Sequence, residues 1–195
     1  MLVVGSGAVV GYGVLTYELS VSGELARIVA GMTGRGVDLD LMVDPDLSIS
    51  RVRAALEGSR LERYRVVLLS IGSIDSITLL PVWRWRREMR RLLNLLAERG
   101  AATTAVLIQG IPPLTALVPL PRPLRRPIDR RWRAFNTASI AIAAQRAMVT
   151  FVPFAPPEVN LLENASRQVH IDWATLLAPA VADALGAKPA GPETA

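Results

Sequence analysis

The chain of 195 residues has no cysteine, one histidine and one lysine. The absence of cysteine excludes disulfides, thiolate metal sites and cysteine nucleophiles. A single histidine, His170, excludes a metal site built from several imidazoles. We therefore expect neither a metal nor a cofactor. With Lys188 as the only lysine, the net charge of +5 is carried almost wholly by arginine.

Long uninterrupted apolar stretches are also missing. The apolar start, Met1–Val10, contains glycines and has no basic region before it, so it fits a buried first strand better than a targeting segment. The later apolar stretch Ala101–Leu120 holds one glycine and three prolines, which a membrane helix tolerates poorly. We expect no membrane span and a cytoplasmic protein.

The residues that are present favour one domain with a sizeable core, since 51% of them are hydrophobic. Short apolar runs alternate with helical patterns, which predicts an α/β domain with one parallel sheet and helices on both faces. The domain is predicted over residues 1–186, and residues 187–195, rich in Ala, Pro and Gly, as a flexible tail. The predicted strands include Leu2–Val4, Val37–Val43, Val66–Ile71, Thr104–Gln109 and Val149–Phe154.

Helical patterns fill most of the remaining chain. They predict helices over Val14–Met32, Ser48–Leu56, Val82–Ala97, Arg130–Arg146 and Asp172–Leu185, and a proline-rich loop over Ile111–Pro127. Ligands of parallel sheets bind at the carboxyl ends of the strands. The turns that follow the strands are therefore the places to search for a site.

The first turn, residues 5–13, is rich in glycine. Its G-S-G-A-V-V-G spacing has one residue too many for a dinucleotide fingerprint. With Gly11-Tyr12-Gly13, it is similar to the first block of the SGNH (GDSL-type) esterases, G-D-S-x-x-x-G-x-G. Residues 72–75, with Ser73 second, resemble the G-x-N-D block of that family, and His170 stands where its D-x-x-H block belongs.

Further stretches match single-domain SGNH hydrolases of high-GC bacteria in order and spacing. They are Trp83–Glu88, Gly110–Leu114, Pro119–Arg125 and Trp132–Asn136. The resemblance covers nearly the whole chain. It implies a bacterial protein with a three-layer, doubly wound, five-stranded parallel sheet of flavodoxin-like topology, in the strand order 2-1-3-4-5.

The departures from the family concern its catalytic groups, which the resemblance places in one cleft. The nucleophilic serine falls on Gly7, which has no side chain to acylate. The backbone donor of the second block falls on Asp46, the oxyanion-binding asparagine on Ile74 and the histidine-orienting aspartate on Arg167. Losing one oxyanion donor typically costs about 3–4 kcal/mol of transition-state stabilisation. Arg167 would oppose an imidazolium at His170.

Three functions stay open. The first is a pseudoenzyme that serves as a binding or scaffolding module for a small-molecule ligand or a protein partner. The second is a repurposed, non-hydrolytic enzyme with Asp46 and His170 as acid and base, and with Arg167 binding an anionic group. The third is an esterase or acyltransferase in which Ser6 acts with His170. Ser6 otherwise fits a helix-capping hydroxyl, and Ser73 is a weaker candidate nucleophile.

Two other features have structural interpretations. The run Trp83–Arg91 combines aromatic and basic residues, as nucleic-acid surfaces do. The family has a similar helix, so inward-packed tryptophans and solvated arginines are expected, and nucleic acid is not expected as a partner. Asp75 is expected to hold loop backbone by hydrogen bonds.

Overall fold

The computed structural model describes residues 1–11, 14, 16–117, 119–157 and 166–186. The predicted tail, 187–195, lies outside these residues. The strands of the described part form one sheet: β1 (Leu2–Gly5), β2 (Asp40–Val43), β3 (Val66–Ser70), β4 (Ala105–Gln109) and β5 (Val149–Val152). All neighbouring strands are parallel, in the order β2-β1-β3-β4-β5. The predicted fold class and strand order are confirmed.

Among the described residues, six α-helices connect and cover the strands: α1 (Val21–Thr33), α2 (Ile49–Ala55), α3 (Ser73–Ile77), α4 (Val82–Arg99), α5 (Arg122–Ala143) and α6 (Arg167–Gly186). Short 3-10 turns lie at Gly7–Val10, Tyr17–Leu19, Leu61–Arg63 and Leu114–Ala116. No helix among the described residues is both long enough and apolar enough to cross a membrane.

The sheet is buried on both faces, which divides the core in two. Side chains alternate along a strand, so Leu2 and Val4 pack under α2, α4 and α5, whereas Val3 packs under α1 and α6. The α4–α5 seam is closed by Trp85 and Phe135, whose rings stack with centroids 4.4 Å apart. The result is the predicted arrangement of three layers.

Two helices begin earlier than the sequence predicts. Helix α6 begins at Arg167 instead of Asp172, so His170 lies inside it and not ahead of it. Helix α5 begins at Arg122, within the predicted proline-rich loop. A proline near a helix start removes no bond, because the first N–H groups have no intrahelical partner. Pro127 does fall inside the helix, where the fully buried Ile128 follows it.

Helix α1 begins later than predicted, at Val21 instead of Val14. A 3-10 turn, Tyr17–Leu19, occupies part of the predicted helix. Tyr17 and Glu18 are exposed there, so this stretch has little apolar surface to pack against the sheet. The apolar pattern extended further than the helix because it does not distinguish a 3-10 turn from an α-helical one.

The turn after β3 brings together stretches that are distant in sequence. Gly72 has a φ of 111°. A Cβ atom at this position would lie 2.8 Å from Trp85 of α4 and closer still to Ile111, which follows β4. The backbone of Ile111 exchanges two hydrogen bonds of 2.9 Å with the side-chain amide of Asn136 in α5. Three of the stretches that resemble the family therefore meet around Gly72.

We predict that Gly72→Ala lowers the free energy of unfolding by about 2–4 kcal/mol, because a left-handed backbone and a steric clash act together. Gly58→Ala is the matched control: its φ is +81°, but nothing lies within 4 Å of a Cβ there. That control should cost only the backbone term, about 1–2 kcal/mol. Urea denaturation measures both changes. Equal losses in the two variants would contradict the close packing around Gly72.

Candidate functional site

The candidate residues after β1, β2 and β3 share one edge of the sheet. In the register, Gly5 pairs with Val43 on one side and with Ser70 on the other, so the three strands end in one row. Gly7, Asp46 and Ile74 follow these strand ends within a few residues. The carboxyl edge of the sheet therefore holds these three positions, as the resemblance implies.

The first turns of α6 reach the same edge. Trp173 packs edge-on against Phe154, two residues beyond β5, with ring centroids 5.7 Å apart. The other end of the helix, at Leu185, lines a cavity of about 800 Å³ with Val37 and Arg65, which precede β2 and β3. Arg167 and His170, in the first turn of α6, therefore lie at the carboxyl edge with the other candidates.

Gly7, at the family's nucleophile position, lies beside Ser73. Its φ is +69°, and a Cβ built there would meet the Oγ of Ser73 at 3.5 Å, an ordinary contact distance. Space for a small side chain is thus present, but the residue supplies none. The hydroxyl next to the expected point of attack belongs to Ser73, the first residue of α3.

Neither of the oxyanion donors expected after β2 and β3 is available. The backbone N–H of Asp46 donates to Oδ1 of Asp44 at 2.8 Å, so the group that the family directs at the substrate is already bonded. The Asp46 side chain is exposed. Ile74, the second residue of α3, is half-buried and has no polar side-chain atom.

Asp75 has the structural role expected from the sequence. Its carboxylate is buried and accepts the backbone N–H of Ile49, the first residue of α2, at 3.0 Å. It thereby satisfies a donor at the start of α2, where Ser48 makes no side-chain capping bond. Burial raises the pKa of Asp75 to about 6, and the hydrogen bond from Ile49 opposes that shift only in part.

Ser6 is enclosed by the protein. Its backbone N–H donates to Ser70 O at 2.9 Å, and only 2% of its surface is exposed. Within the described part of the chain, its Oγ has no hydrogen-bond partner. It precedes the 3-10 turn Gly7–Val10 but makes no capping bond, so the interpretation of Ser6 as a capping hydroxyl is wrong.

His170 is also buried, with 1% of its surface exposed. Its backbone N–H donates to Ser166 O at 3.3 Å in the first turn of α6. A histidine that acts as a general base has to reach the reacting group of a substrate within hydrogen-bond distance. The burial of His170 separates it from solvent at the edge where the family binds its substrates.

Arg167 is paired with Glu24 in the first turn of α1, a carboxylate that the sequence analysis missed. The Nε of Arg167 lies 2.8 Å from Oε1 of Glu24, and the Nε of Arg27 lies 2.7 Å from Oε2. Burial by itself raises the pKa of Glu24, but the hydrogen bonds from Arg167 and Arg27 outweigh it and hold that pKa below its ordinary value. Arg167 and Arg27 thus share one buried carboxylate, that of Glu24.

Two further polar side chains of this region went unnoticed in the sequence. Ser22 of α1 and Gln109, the last residue of β4, are buried, and Ser22 Oγ and Gln109 Oε1 have no hydrogen-bond partner among the described residues. For Gln109, the signal in the sequence was a polar residue at the end of an apolar strand. In the same part of the chain, no three His, Asp or Glu side chains are grouped so that they could hold a metal ion.

Comparison with known proteins gives matches in structure only. No family model and no curated protein matches the chain. The match to TesA covers 92% of this chain and 97% of the TesA chain, at 18% identity and a TM-score of 0.60. The extracellular lipase from Streptomyces rimosus covers 94% and 97%, at 16% identity and a TM-score of 0.60. A G-D-S-L family protein from Desulfitobacterium hafniense DCB-2 covers 91% and 97%, at 11% identity and a TM-score of 0.63. Identities this low show a shared fold.

We predict that Asp75 makes stability fall as the pH rises. Between its unfolded pKa of 3.8 and its folded pKa of about 6, the folded state binds more protons at this site than the unfolded state. The contribution of Asp75 to the free energy of unfolding should fall across this window by on the order of 3 kcal/mol.

The Asp75→Asn variant should lack this fall, since an amide does not titrate. Urea denaturation of wild type and variant at several pH values measures the difference, and Asp46→Asn, at an exposed position, is the control. A constant difference between wild type and Asp75→Asn at all pH values would show that the carboxyl is not desolvated.

The Arg167–Glu24 pair leads to a second prediction. Arg167→Ala should lower the free energy of unfolding by about 1–2 kcal/mol, because it removes a charged hydrogen bond to a buried carboxylate. Arg167→Asp should cost more, and adding Glu24→Gln should recover part of the loss. Arg35→Ala, at an exposed arginine, is the control. Equal effects of Arg167→Ala and Arg35→Ala in denaturation would contradict the pairing.

Proposed function

The chain has the α/β fold of the SGNH (GDSL-type) hydrolases, and from that premise we propose that it is a pseudoenzyme without ester hydrolase activity. In this proposal the fold serves as a binding or scaffolding module. The observation that carries it is Gly7: the position that aligns with the family's nucleophile lies at the expected edge, has room for a side chain and has none. Acyl transfer through a serine ester cannot begin there.

The oxyanion contacts support the same conclusion. An oxyanion hole needs donors aimed at the developing negative charge. The N–H of Asp46 is bonded to Asp44, and Ile74 is apolar. Two donors that the family uses are therefore missing in addition to the nucleophile.

The geometry is unfavourable to an esterase that uses Ser6 and His170. Ser6 is extended, with φ −134° and ψ 178°, so it continues the alternation of β1. That alternation puts its side chain on the face of Leu2 and Val4, under α2, α4 and α5. His170 belongs to α6, which packs on the opposite face.

A repurposed acid–base enzyme finds no better support. The Asp46 side chain is exposed to solvent, whereas the His170 side chain is buried. The two side chains therefore do not both face a solvent-accessible opening. Arg167, the expected anion-binding group, is engaged by Glu24. The Nε of Arg167 is therefore not free to bind a substrate anion.

The parts of the edge that hold its shape are intact, and this supports binding. Asp75 anchors the start of α2, and Asn136 anchors the backbone of Ile111. These contacts fix the turns around Gly7 and Ser73 without taking part in chemistry. A ligand or a protein partner can therefore meet a preformed surface at this edge, which lowers the ordering cost of binding.

We predict no hydrolysis of short-chain p-nitrophenyl esters above background and no labelling by fluorophosphonates. The wild type, Ser6→Ala, Ser73→Ala and His170→Ala should behave alike, with the Streptomyces rimosus lipase as the positive control. Ser6→Ala should fold at least as well as wild type, because it removes a buried hydroxyl without a partner. An esterase rate that disappears in Ser6→Ala or Ser73→Ala would refute the pseudoenzyme.

Binding is tested on the same protein by NMR. Addition of an uncleaved ester should shift the backbone amide signals of Gly7, Ser73 and Ile74, with the ester intact after prolonged incubation. Shifts spread over the whole surface, or none at any ester or protein partner tried, would count against a binding role at this edge.

A further inference from the structure

The charge of the protein is concentrated on two helices. Helices α4 and α5 together carry twelve arginines and three acidic residues, a net charge of +9. The whole chain has a net charge of +5, so the remainder is at −4. Helices α4 and α5 are thus strongly basic, whereas the rest of the chain is acidic. The net charge of the whole chain, +5, is therefore smaller than the charge of these two helices.

Few of these arginines pair with an acidic residue within the described ranges. In the part of the chain that the structure describes, only Arg87 and Arg91 of the twelve form ion pairs, both with Glu88. The other two acidic residues on these helices are Glu98 and Asp129, and Asp129 accepts hydrogen bonds from Thr115 and Trp132. The other ten arginines of α4 and α5 therefore have no ion-pair partner among the described residues.

The arginines of α5 lie in a row. Arg122, Arg126, Arg130 and Arg133 are all exposed and are spaced by four, four and three residues, which places them on one face of the helix. At 1.5 Å per residue, the row is roughly 16 Å long. Arg130 also lines an open cavity of about 410 Å³ next to Leu79.

The same two helices expose apolar side chains among the arginines. Trp83 in the first turn of α4 is 62% exposed, and the guanidinium of Arg87 lies 5.3 Å from its ring centroid. Ile140, which continues the arginine row of α5, is 51% exposed. The expectation that the tryptophans pack inward holds for Trp85 and fails for Trp83.

We propose that the outward surface of α4 and α5, here called the basic face and represented by Trp83, Arg90, Arg126, Arg130 and Arg133, binds the surface of an anionic lipid bilayer. Each arginine near the membrane surface raises the affinity of a protein for acidic headgroups by about fivefold. Exposed tryptophan and isoleucine side chains insert among the headgroups. This inference is independent of the proposed pseudoenzyme, since it uses none of the residues at the sheet edge.

The shape of the basic face favours a bilayer over duplex nucleic acid. Helices α4 and α5 run side by side. Trp85 of α4 stacks on Phe135 of α5, and further along, Arg146, three residues beyond the end of α5, donates to Asn94 of α4 at 2.7 Å. Two helices packed in this way span roughly 20 Å. The major groove of DNA, about 12 Å wide, admits one helix. A flat bilayer surface accommodates both.

The test is co-sedimentation of the full chain with vesicles of phosphatidylcholine, with and without phosphatidylserine. Binding is expected only with phosphatidylserine and should weaken as salt is added. The test variant replaces Arg90, Arg126, Arg130 and Arg133 with Gln and should lose about a hundredfold or more in partitioning. The control replaces Arg35, Arg60, Arg63 and Arg65, exposed arginines of the segments that precede β2 and β3, with Gln and should stay within about fivefold of wild type.

Fluorescence supplies an independent readout, because Trp85 and Trp173 are buried and Trp83 is the most exposed tryptophan of the described residues. Vesicle binding should shift the emission to shorter wavelength. In Trp83→Phe the shift should largely disappear while co-sedimentation persists. Circular dichroism confirms that each variant is folded.

Three results would overturn the proposal. The first is an absence of binding to phosphatidylserine vesicles at low salt. The second is an equal loss in the test and control variants, which would show a response to net charge alone. The third is binding to a DNA duplex as tight as to vesicles and with the same dependence on Arg126 and Arg130, which would make the surface a general polyanion site.

Discussion

The turn after β3 is the constraint on which the rest of the domain depends. A side chain at Gly72 would collide with Ile111 and Trp85, so α4 and the segment after β4 approach the sheet only because this residue is glycine. Three residues later, the buried carboxylate of Asp75 receives the backbone N–H at the start of α2. One short turn thereby fixes the positions of two helices and a loop around the carboxyl edge. The burial of Asp75 is the energetic cost of that arrangement, and it appears as a raised pKa.

This turn also shows which contacts hold the fold independently of the positions that the family uses for chemistry. The contacts that hold the edge together use backbone groups and buried side chains, among them Asp75 and Asn136. The family's chemistry would use side chains at positions 7 and 74, and the residues present there, Gly7 and Ile74, contribute little to those contacts. Stability and catalysis therefore depend on different atoms, so one can be lost while the other is kept.

The parallel sheet could be predicted from local patterns, whereas the strand order and the common edge were implied by the resemblance to the SGNH family. Buried parallel strands are continuous apolar runs, and the alternation with helices limits the topology to few arrangements. The prediction failed where a long-range contact decides the result. Arg167 and Glu24 are 143 residues apart, and no local pattern shows that they pair. The start of α6 and the outward position of Trp83 likewise depend on tertiary packing, which overrides local preference.

The surroundings of positions 7, 46 and 167 show that no single substitution would recreate the family's catalytic arrangement. A serine at position 7 would have to adopt a φ near +69°, a left-handed backbone conformation that residues other than glycine avoid. An aspartate at position 167 would place a second carboxylate beside the buried Glu24, where the two charges repel each other. The N–H of Asp46 would have to leave Asp44 before it could face a substrate. Positions 7, 46 and 167 are thus each held by a local interaction that favours the present residue, which is why the proposed pseudoenzyme would need several coupled changes before it could resemble the family's catalytic arrangement.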